Sequence, residues 1–271
     1  MLIREKTVIV TGASSGIGRA TAREFAKAGA NVVLASRDKA ALTRTAEQLS
    51  GPGRGLCLAV PTDMREPESV RAMVDRAVEE LGGIDVLVNN AGVGLNATIA
   101  EGDLENMRHI VDVNLFGYIH AIQAAVPHMR KRGGGAIVNV SSVAGRIAAP
   151  YSGVYSMTKA AISALSDALR LELEEDGINV ITAYPGFTDT GFHRNAIREL
   201  EMPRPSIVLR GVSAAKAGRR IVVAVREDER EVYVTLGDRM AVLVKNAAPR
   251  LVDWGIRRLW LGGGKPRRPR S

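Results

Sequence analysis

The chain has 271 residues, 46 % hydrophobic and 24 % charged, which is the composition of an ordinary globular protein. Its single cysteine excludes an internal disulfide framework, no apolar run is long enough to span a membrane, and the first strand begins too early for a signal peptide, so we expect a cytoplasmic protein. The formal net charge of +8 comes almost entirely from residues 245–271, which carry a net of +7, so the near-neutral body argues against a nucleic-acid partner.

Apolar β-branched runs alternate with longer helical patterns through the first 190 residues. Because the runs are near-continuous in Val, Ile and Leu, they predict parallel strands that are buried on both faces. The strands are predicted at 7–10, 31–36, 55–60, 84–89, 136–141 and 178–184, with a weaker one at 231–236 that extends the sheet. The helices are predicted at 16–30, 39–50, 67–83, 103–132 and 153–177. This alternation predicts an α/β fold with a doubly wound parallel sheet.

No Pro/Gly/Ser-rich linker divides this body, so we predict a single domain over 1–237. Residues 188–213 lack a regular period, which indicates an irregular insertion of the kind that often forms a lid or a binding loop. A basic helical extension is predicted over 238–271.

A glycine-rich turn follows the first strand and opens a helix, with the sequence TGASSGIG over 11–18. Glycines permit a tight turn and let backbone N–H groups approach a pyrophosphate at the positive end of the helix. The spacing Gly-x-x-x-Gly-x-Gly differs from the usual dinucleotide fingerprint. The predicted cofactor contacts in this turn are Gly12, Ser14, Ser15, Gly16, Ile17 and Gly18.

This spacing resembles that of the short-chain dehydrogenase/reductase family, and further motifs agree in order and distance. Asn89-Asn90-Ala91-Gly92 ends the fourth strand, where the family carries NNAG, and Pro185-Gly186 follows the sixth strand as in the family. Tyr155 lies thirteen residues after Ser142 and four before Lys159, which is the family's spacing. The resemblance covers roughly residues 5–235. It implies a Rossmann-type fold, a nicotinamide cofactor, and hydride transfer to or from a carbonyl or alcohol carbon.

The resemblance also implies catalytic roles. Tyr155 is the general acid/base, and Lys159 lies one helical turn away on the same face. Proton transfer near neutral pH calls for a phenol pKa lowered from about 10 toward about 7, roughly 4 kcal/mol. A close ammonium supplies much of this in a water-poor cleft, helped by the cationic nicotinamide ring of the oxidised cofactor. Ser142 hydrogen-bonds the substrate oxygen, and strand alternation points Ser141 the opposite way. Asn114 resembles the family residue that holds a water linking the lysine to solvent.

The end of the second strand bears on the choice of cofactor. An acidic residue there repels a 2′-phosphate, whereas this chain has Ser36 followed by Arg37, whose guanidinium suits phosphate oxygens. The pattern favours NADP(H) over NAD(H); the alternative is that Arg37 is surface charge and Asp38 caps the next helix. Asp63 resembles the family residue beside the adenine amino group, and its alternative is a turn residue before Pro67.

Further cofactor contacts follow from the resemblance. Asn90, Ala91 and Gly92 line the adenosine-ribose and nicotinamide side, and Lys159 also holds the nicotinamide ribose. The segment after the sixth strand contributes Pro185, Gly186, Thr188 and Thr190. Thr190 is alternatively the N-cap of a helix from Gly191 onward. The four histidines lack metal-ligand spacing, so no metal site is predicted.

The substrate pocket is predicted to form from 93–97, 143–153 and 187–210. Its large side chains are mostly apolar and favour a small hydrophobic ketone, aldehyde or alcohol: Leu95, Ile147, Tyr151, Phe187 and Phe192. Four arginines keep open the alternative of a 3-oxoacyl reductase that acts on carrier-bound chains: Arg194, Arg198, Arg204 and Arg210. A non-catalytic nucleotide-binding regulator is a second alternative, against which the intact Ser142, Tyr155 and Lys159 argue.

Assembly and the C-terminal extension are the last features. The resemblance implies a homo-oligomer, dimer or tetramer, built through the helices at 103–132 and 153–177. Beyond the common family core, helices are predicted at 238–247 and 250–261, separated by Pro249. The second is amphipathic and contains both tryptophans with Arg257 and Arg258 between them. We favour packing of this helix on its own domain, over the substrate pocket, or on a partner subunit; the alternative is peripheral contact with a membrane surface.

Overall fold

Seven parallel strands form the central sheet in the computed structural model, which describes residues 1–51, 53–192, 195–200 and 211–258. The strand order is β7-β6-β5-β4-β1-β2-β3. The strands are β1 (Thr7–Thr11), β2 (Asn31–Ser36), β3 (Cys57–Pro61), β4 (Val86–Asn89), β5 (Gly135–Val140), β6 (Ile178–Tyr184) and β7 (Glu231–Tyr233). All six predicted strands and the weaker seventh are confirmed, with ends shifted by three residues at most.

The helices cover both faces of the sheet. They are α1 (Gly16–Lys27), α2 (Lys39–Leu49), α3 (Pro67–Leu81), α4 (Leu104–Val111), α5 (Gly117–Lys131), α6 (Gly153–Glu172), α7 (Ala214–Arg226), α8 (Leu236–Ala247) and α9 (Pro249–Ile256). Along β1, Val8 and Val10 point to one face and Ile9 to the other, as alternation requires. Phe25 of α1 belongs to the first core, and Met73 of α3 belongs to the second. The doubly wound fold is therefore confirmed.

The predicted helix at 103–132 is interrupted. A π-helical turn over Asp112–Phe116 separates α4 from α5. A π turn inserts one extra residue per turn and often lies at a functional site. Here it contains Asn114, whose buried side chain bonds to a loop instead of lying along a regular helical face.

The irregular insertion joins the domain through two short parallel pairings. Thr188–Asp189 pairs with Val212–Ser213, and Leu95–Asn96 pairs with Ile197–Arg198. These pairings bring the insertion against the loop that follows β4. The predicted residues Arg194, Arg204 and Arg210 lie outside the described residues.

The extension begins slightly earlier than predicted. Leu236 is the first residue of α8, so the predicted boundary between 237 and 238 falls inside this helix. Pro249 occupies the first turn of α9, and Lys245 of α8 donates to Asp253 of α9 at 2.5 Å. Residues 259–271, including the end of the predicted 250–261 helix, lie outside the described residues. Within the described ranges, no helix is both long and apolar enough to cross a membrane.

Candidate active site

The predicted site residues meet at the carboxyl ends of the strands. The glycine turn follows β1, Ser36 ends β2, and Asn90 follows β4. Since β1 lies between β2 and β4, this edge contains the switch point of the doubly wound sheet, where ligands bind in open α/β folds.

The glycine turn is built so that side chains are excluded from it. Gly12 and Gly16 have positive φ values of +66° and +55°, and a Cβ on Gly12 would lie 2.8 Å from the Asn90 side-chain nitrogen. A Cβ on Gly18 would overlap the Gly12 carbonyl oxygen. No described side chain caps the N-terminus of α1, because Ser15 makes no capping hydrogen bond. This open helix end suits the pyrophosphate of a dinucleotide.

Thr11 holds the glycine turn against the Asn90 segment, a role that the sequence analysis missed. Its hydroxyl donates to Val88 O at 3.3 Å and accepts from the backbone N–H groups of Asn90 and Ala91 at 2.9 and 3.0 Å. The Asn90 side chain donates back to Thr11 O at 2.9 Å. A polar residue at the end of an otherwise apolar buried strand was the available signal.

The end of β2 supplies a polar atom without a partner. The Ser36 hydroxyl oxygen is buried, and within the described residues it has no hydrogen-bond partner. Arg37 beside it is exposed, and the Asp38 side chain accepts from Ala41 N at 2.9 Å, so Asp38 does cap α2. A buried polar group is normally satisfied, so this hydroxyl points to a ligand such as a ribose or its phosphate.

The Asp63 carboxylate is hydrogen-bonded within its own turn. Its carboxylate accepts from the Arg65 guanidinium at 2.6 Å and from the Arg65 backbone N–H at 3.0 Å. The hydrogen bond from the Arg65 side chain lowers the pKa of Asp63 and keeps it ionised. The turn interpretation is thus present in the structure. The predicted contact with adenine stays a prediction, because a carboxylate has further acceptor positions.

Ser142, Tyr155 and Lys159 are brought together by β5 and α6. The Ser142 hydroxyl lies against the Tyr155 phenol, donates to Pro185 O at 3.3 Å and accepts from Ala144 N at 3.0 Å. The Lys159 ammonium donates to Val140 O at 2.8 Å and lies 5.8 Å from the Tyr155 ring centroid. Ser141 points the other way and donates to Lys159 O at 2.7 Å, as strand alternation predicts.

Burial shifts the pKa values of both Tyr155 and Lys159. Burial raises the pKa of Tyr155 to about 12, although its hydrogen bond with Ser142 acts in the opposite direction. Burial also lowers the pKa of Lys159 to about 7. Without a cofactor, the same desolvation disfavours both charged forms. The expected fall of the phenol pKa toward 7, which includes the charge of an oxidised nicotinamide, stays a prediction.

Asn114 clamps the loop after β4. Its side-chain oxygen accepts from Val93 N at 2.7 Å, and its side-chain nitrogen donates to Val93 O at 2.9 Å and to Thr158 at 3.2 Å. Gly92 lies between this side chain and Lys159: a Cβ there would be 3.2 Å from the Asn114 oxygen and 3.7 Å from the ammonium. The Asn114 side chain thus fixes the loop that lies next to Lys159. The predicted water relay stays a prediction.

Tyr118 is a second residue that the sequence analysis missed. It is fully buried, its hydroxyl donates to Val140 O at 3.2 Å, and the Lys159 ammonium donates to that hydroxyl at 3.4 Å. Tyr118 therefore helps to position Lys159. Its place four residues after Asn114 was the only signal in the sequence.

The segment after β6 closes the opposite side. Thr190 lies 3.4 Å from the position of a Cβ on Gly16, so it adjoins the phosphate turn, and its hydroxyl accepts from Phe192 N at 3.2 Å. The predicted helix from Gly191 onward runs into residues 193 and 194, which lie outside the described residues, so the N-cap alternative stays a prediction. Thr188 is buried and donates to Gly186 O at 3.1 Å. The Phe192 ring packs 5.3 Å from that of Tyr155.

An open, mainly apolar cavity of about 600 Å³ lies beside the predicted substrate loops. Its walls come from 97–100, from 148–151 with Gly153, and from three residues of the extension: Asp253, Ile256 and Arg257. Tyr151 has φ +65°, rare for a non-glycine residue, and its carbonyl accepts from Ala97 N at 3.0 Å, which joins the two loops. Across the described ranges, no three His, Cys, Asp or Glu side chains gather as metal ligands would.

Comparison with known proteins gives consistent matches. The family profile described as short chain dehydrogenase matches residues 6–201. The chain is 33 % identical over 256 residues to the mouse (Mus musculus) dehydrogenase/reductase SDR family member 7B, across 92 % of this chain and 79 % of that protein.

Two solved structures are similar in fold. One is a short chain dehydrogenase/reductase from Burkholderia phymatum in complex with NAD, with a TM-score of 0.83 and 26 % identity, covering 100 % of this chain and 99 % of that one. The other is a 3-ketoacyl-(acyl-carrier-protein) reductase from Brucella melitensis complexed with NADH, with a TM-score of 0.76 and 28 % identity, covering 86 % and 97 %.

Proposed function

Because this chain belongs to the short-chain dehydrogenase family, we propose that it is an NADP(H)-dependent oxidoreductase of hydrophobic ketones, aldehydes or alcohols, with Tyr155 as the general acid/base. The observation that carries the proposal is the cluster of buried Ser142, buried Lys159 and half-buried Tyr155, in which the Lys159 ammonium lies next to Gly92. A nucleotide-binding regulator has no need for a buried ammonium beside a phenol, since burying the ammonium costs desolvation.

The residues have separate roles in this mechanism. The glycine turn and Lys159 would hold a nicotinamide cofactor, which would supply hydride-transfer chemistry. Ser142 donates a hydrogen bond to the substrate oxygen and stabilises its negative charge as it develops. Tyr155, protonated at neutral pH because its pKa is about 12, donates a proton to that oxygen in the reductive direction. Lys159 holds the ribose hydroxyls and stabilises the phenolate that remains.

Two local features support NADP(H). The Ser36 hydroxyl is buried without a partner among the described residues, and Arg37 follows it on the surface. Neither residue repels a 2′-phosphate, and the guanidinium can bind it bidentately. The related solved structures contain NADH and NAD, so the preference rests on this chain's own residues.

The substrate class is supported by the cavity that the predicted substrate loops form with the extension. Its lining is largely alanine, isoleucine and proline, which favours an apolar substrate over a sugar or a small acid. The similarity to a 3-ketoacyl reductase from Brucella melitensis makes a 3-oxoacyl thioester the second class to test. A panel of hydrophobic ketones and one 3-oxoacyl thioester, with NADPH oxidation as the readout, separates the two.

Tyr155→Phe tests the mechanism. Removing the hydroxyl takes away the proton donor, so we expect kcat to fall by about 10²–10⁴-fold with little change in NADPH affinity. The rate of NADPH oxidation and a fluorescence titration with NADPH measure the two quantities. Tyr233→Phe, a tyrosine on edge strand β7, is the matched control. Full activity in Tyr155→Phe contradicts the assignment.

Ser36→Asp tests the cofactor. A carboxylate at the end of β2 repels the 2′-phosphate, so we expect the affinity ratio of NADPH to NADH to fall by about a hundredfold or more. Ser36→Ala removes the hydroxyl without adding charge and is the matched control. An unchanged ratio in Ser36→Asp excludes the predicted NADP(H) preference and leaves the Tyr155 mechanism standing.

A further inference from the structure

Helix α8 exposes an apolar stripe on the outer surface of the molecule. Leu236, Met240, Leu243 and Val244 are spaced as i, i+4, i+7 and i+8, and all four are exposed, Leu236 by 74 % and Leu243 by 50 %. This is the spacing of the face that a helix normally buries. Val242, on the opposite side, is the residue that α8 buries in the domain. The apolar face of α8 is therefore turned away from its own core.

Helix α9 also exposes large apolar side chains. Leu251 and Trp254 are each 59 % exposed and lie three residues apart, so they share one side of the helix. The Arg258 guanidinium lies 5.6 Å from the Trp254 ring centroid, and Arg250 is also exposed on this helix. A helix that joins exposed Trp and Leu to arginines is typical of a membrane interface.

Charge decides among the surfaces that could cover these helices. Residues 236–271 contain nine basic residues and two acids, a net of +7. Both acids are engaged, since Asp253 accepts from Lys245 and the Asp238 carboxylate accepts from Thr235 N at 3.1 Å. A second copy docked through the same patch would bring two such segments together, which is repulsive. An anionic surface is attracted instead.

We propose that the outer faces of α8 and α9 dock the protein on the surface of an anionic lipid bilayer, with Leu236, Met240, Leu243, Val244, Leu251 and Trp254 inserted and the arginines against lipid phosphates. The inference goes beyond the proposed function and does not depend on it.

The experiment is co-sedimentation of the full chain with phosphatidylcholine vesicles, with and without phosphatidylglycerol. We expect binding to the phosphatidylglycerol vesicles only, and weaker binding as salt rises. Leu243→Ser and Trp254→Ser should each weaken binding by about tenfold or more, because each removes inserted apolar surface. Leu56→Ser is the matched control, since Leu56 is 63 % exposed just before β3, at the far edge of the sheet.

A second pair of variants tests the charge. Arg250→Gln/Arg258→Gln should weaken binding by about 25-fold, since each basic residue near an anionic surface contributes about 1 kcal/mol. Arg71→Gln/Arg108→Gln removes the same charge from exposed arginines elsewhere and should leave binding unchanged. Circular dichroism and NADPH titration establish that each variant is folded.

Three outcomes overturn the proposal. The first is that the full chain does not sediment with phosphatidylglycerol vesicles. The second is that the α8 and α9 variants bind as tightly as Leu56→Ser, which assigns the attraction to another surface. The third is that Leu243→Ser changes the sedimentation mass of the free chain but not vesicle binding, which assigns the stripe to contact between copies.

Discussion

The burial of Lys159 serves catalysis but lowers the stability of the folded protein. Its ammonium is buried beside the catalytic phenol and donates to the Val140 carbonyl and the Tyr118 hydroxyl. Burial without an acidic partner lowers its pKa from 10.5 to about 7, so part of the population is neutral at neutral pH. The buried Lys159 ammonium therefore destabilises the fold, while its position lets it act on Tyr155.

Lys159→Met should change the pH dependence of stability. Between pH 7 and 10.5 the unfolded wild type binds more protons at this position than the folded protein, so wild-type stability rises with pH across this window. Relative to wild type, Lys159→Met should thus be most stable below pH 7 and lose this advantage as pH rises, by up to about 1.4 kcal/mol per unit. Denaturant unfolding across this range measures it, with exposed Lys39→Met as the control. A difference that does not vary with pH contradicts the burial argument.

At the scale of elements, the start of α1 determines whether a dinucleotide can approach. The three glycines of this turn are required for geometric reasons. Gly12 and Gly16 have positive φ, and a side chain on Gly18 would overlap the Gly12 carbonyl oxygen. The turn is held from below by Thr11 and Asn90, so its shape depends on contacts between β1 and β4 as well as on glycine.

Gly18→Ala should damage this element specifically. The added Cβ overlaps the Gly12 carbonyl, and the resulting backbone shift should cost about 1–3 kcal/mol of stability and reduce NADPH affinity by about tenfold or more. Gly255→Ala in α9 is the matched control, because its Cβ meets nothing within 4 Å. That control should gain up to about 1 kcal/mol from helix propensity without changing cofactor affinity. Thermal unfolding and NADPH titration measure both, and equal affinities in the two variants contradict the prediction.

At the scale of the whole molecule, two sets of helices expose large apolar side chains. One is the outer side of α8 and α9. The other is the segment from α4 to α6, where Leu104, Phe116, Met157 and Leu171 are exposed. The second set coincides with the helices through which the family resemblance implies assembly, so we propose that the protein is a homo-oligomer through these helices.

Phe116→Glu and Leu171→Glu test the assembly. A charge in the centre of an apolar interface should raise the dissociation constant by about thirtyfold or more, because central aromatic and apolar contacts carry most of the binding free energy. Sedimentation velocity over a range of concentrations measures it, and Leu56→Glu is the control at a distant edge. A wild-type chain that stays monomeric at every concentration contradicts the proposal.

The sequence was sufficient for features that are encoded locally. The strands and the glycine turn follow from side-chain periodicity and backbone preference. The spacing of the family that the chain resembles, together with strand alternation, separated Ser142 from Ser141. Residues whose role comes from a distant contact were missed. Thr11 meets Asn90 across 79 positions, and Tyr118 meets Lys159 across 41.

The sequence by itself determined the fold class, because neighbouring residues suffice to specify strands, helices and tight turns, and its resemblance to a family proposed the residues of the candidate site. Only the tertiary structure decided the pKa values of Tyr155 and Lys159 and which apolar helix faces are exposed. The pKa values of Tyr155 and Lys159 depend on how completely other elements exclude water from them. Likewise, the spacing of apolar residues in α8 predicts one apolar face, but only the packing of Val242 against the domain turned that face outward. Burial is a property of the assembled chain, and no local pattern specifies it.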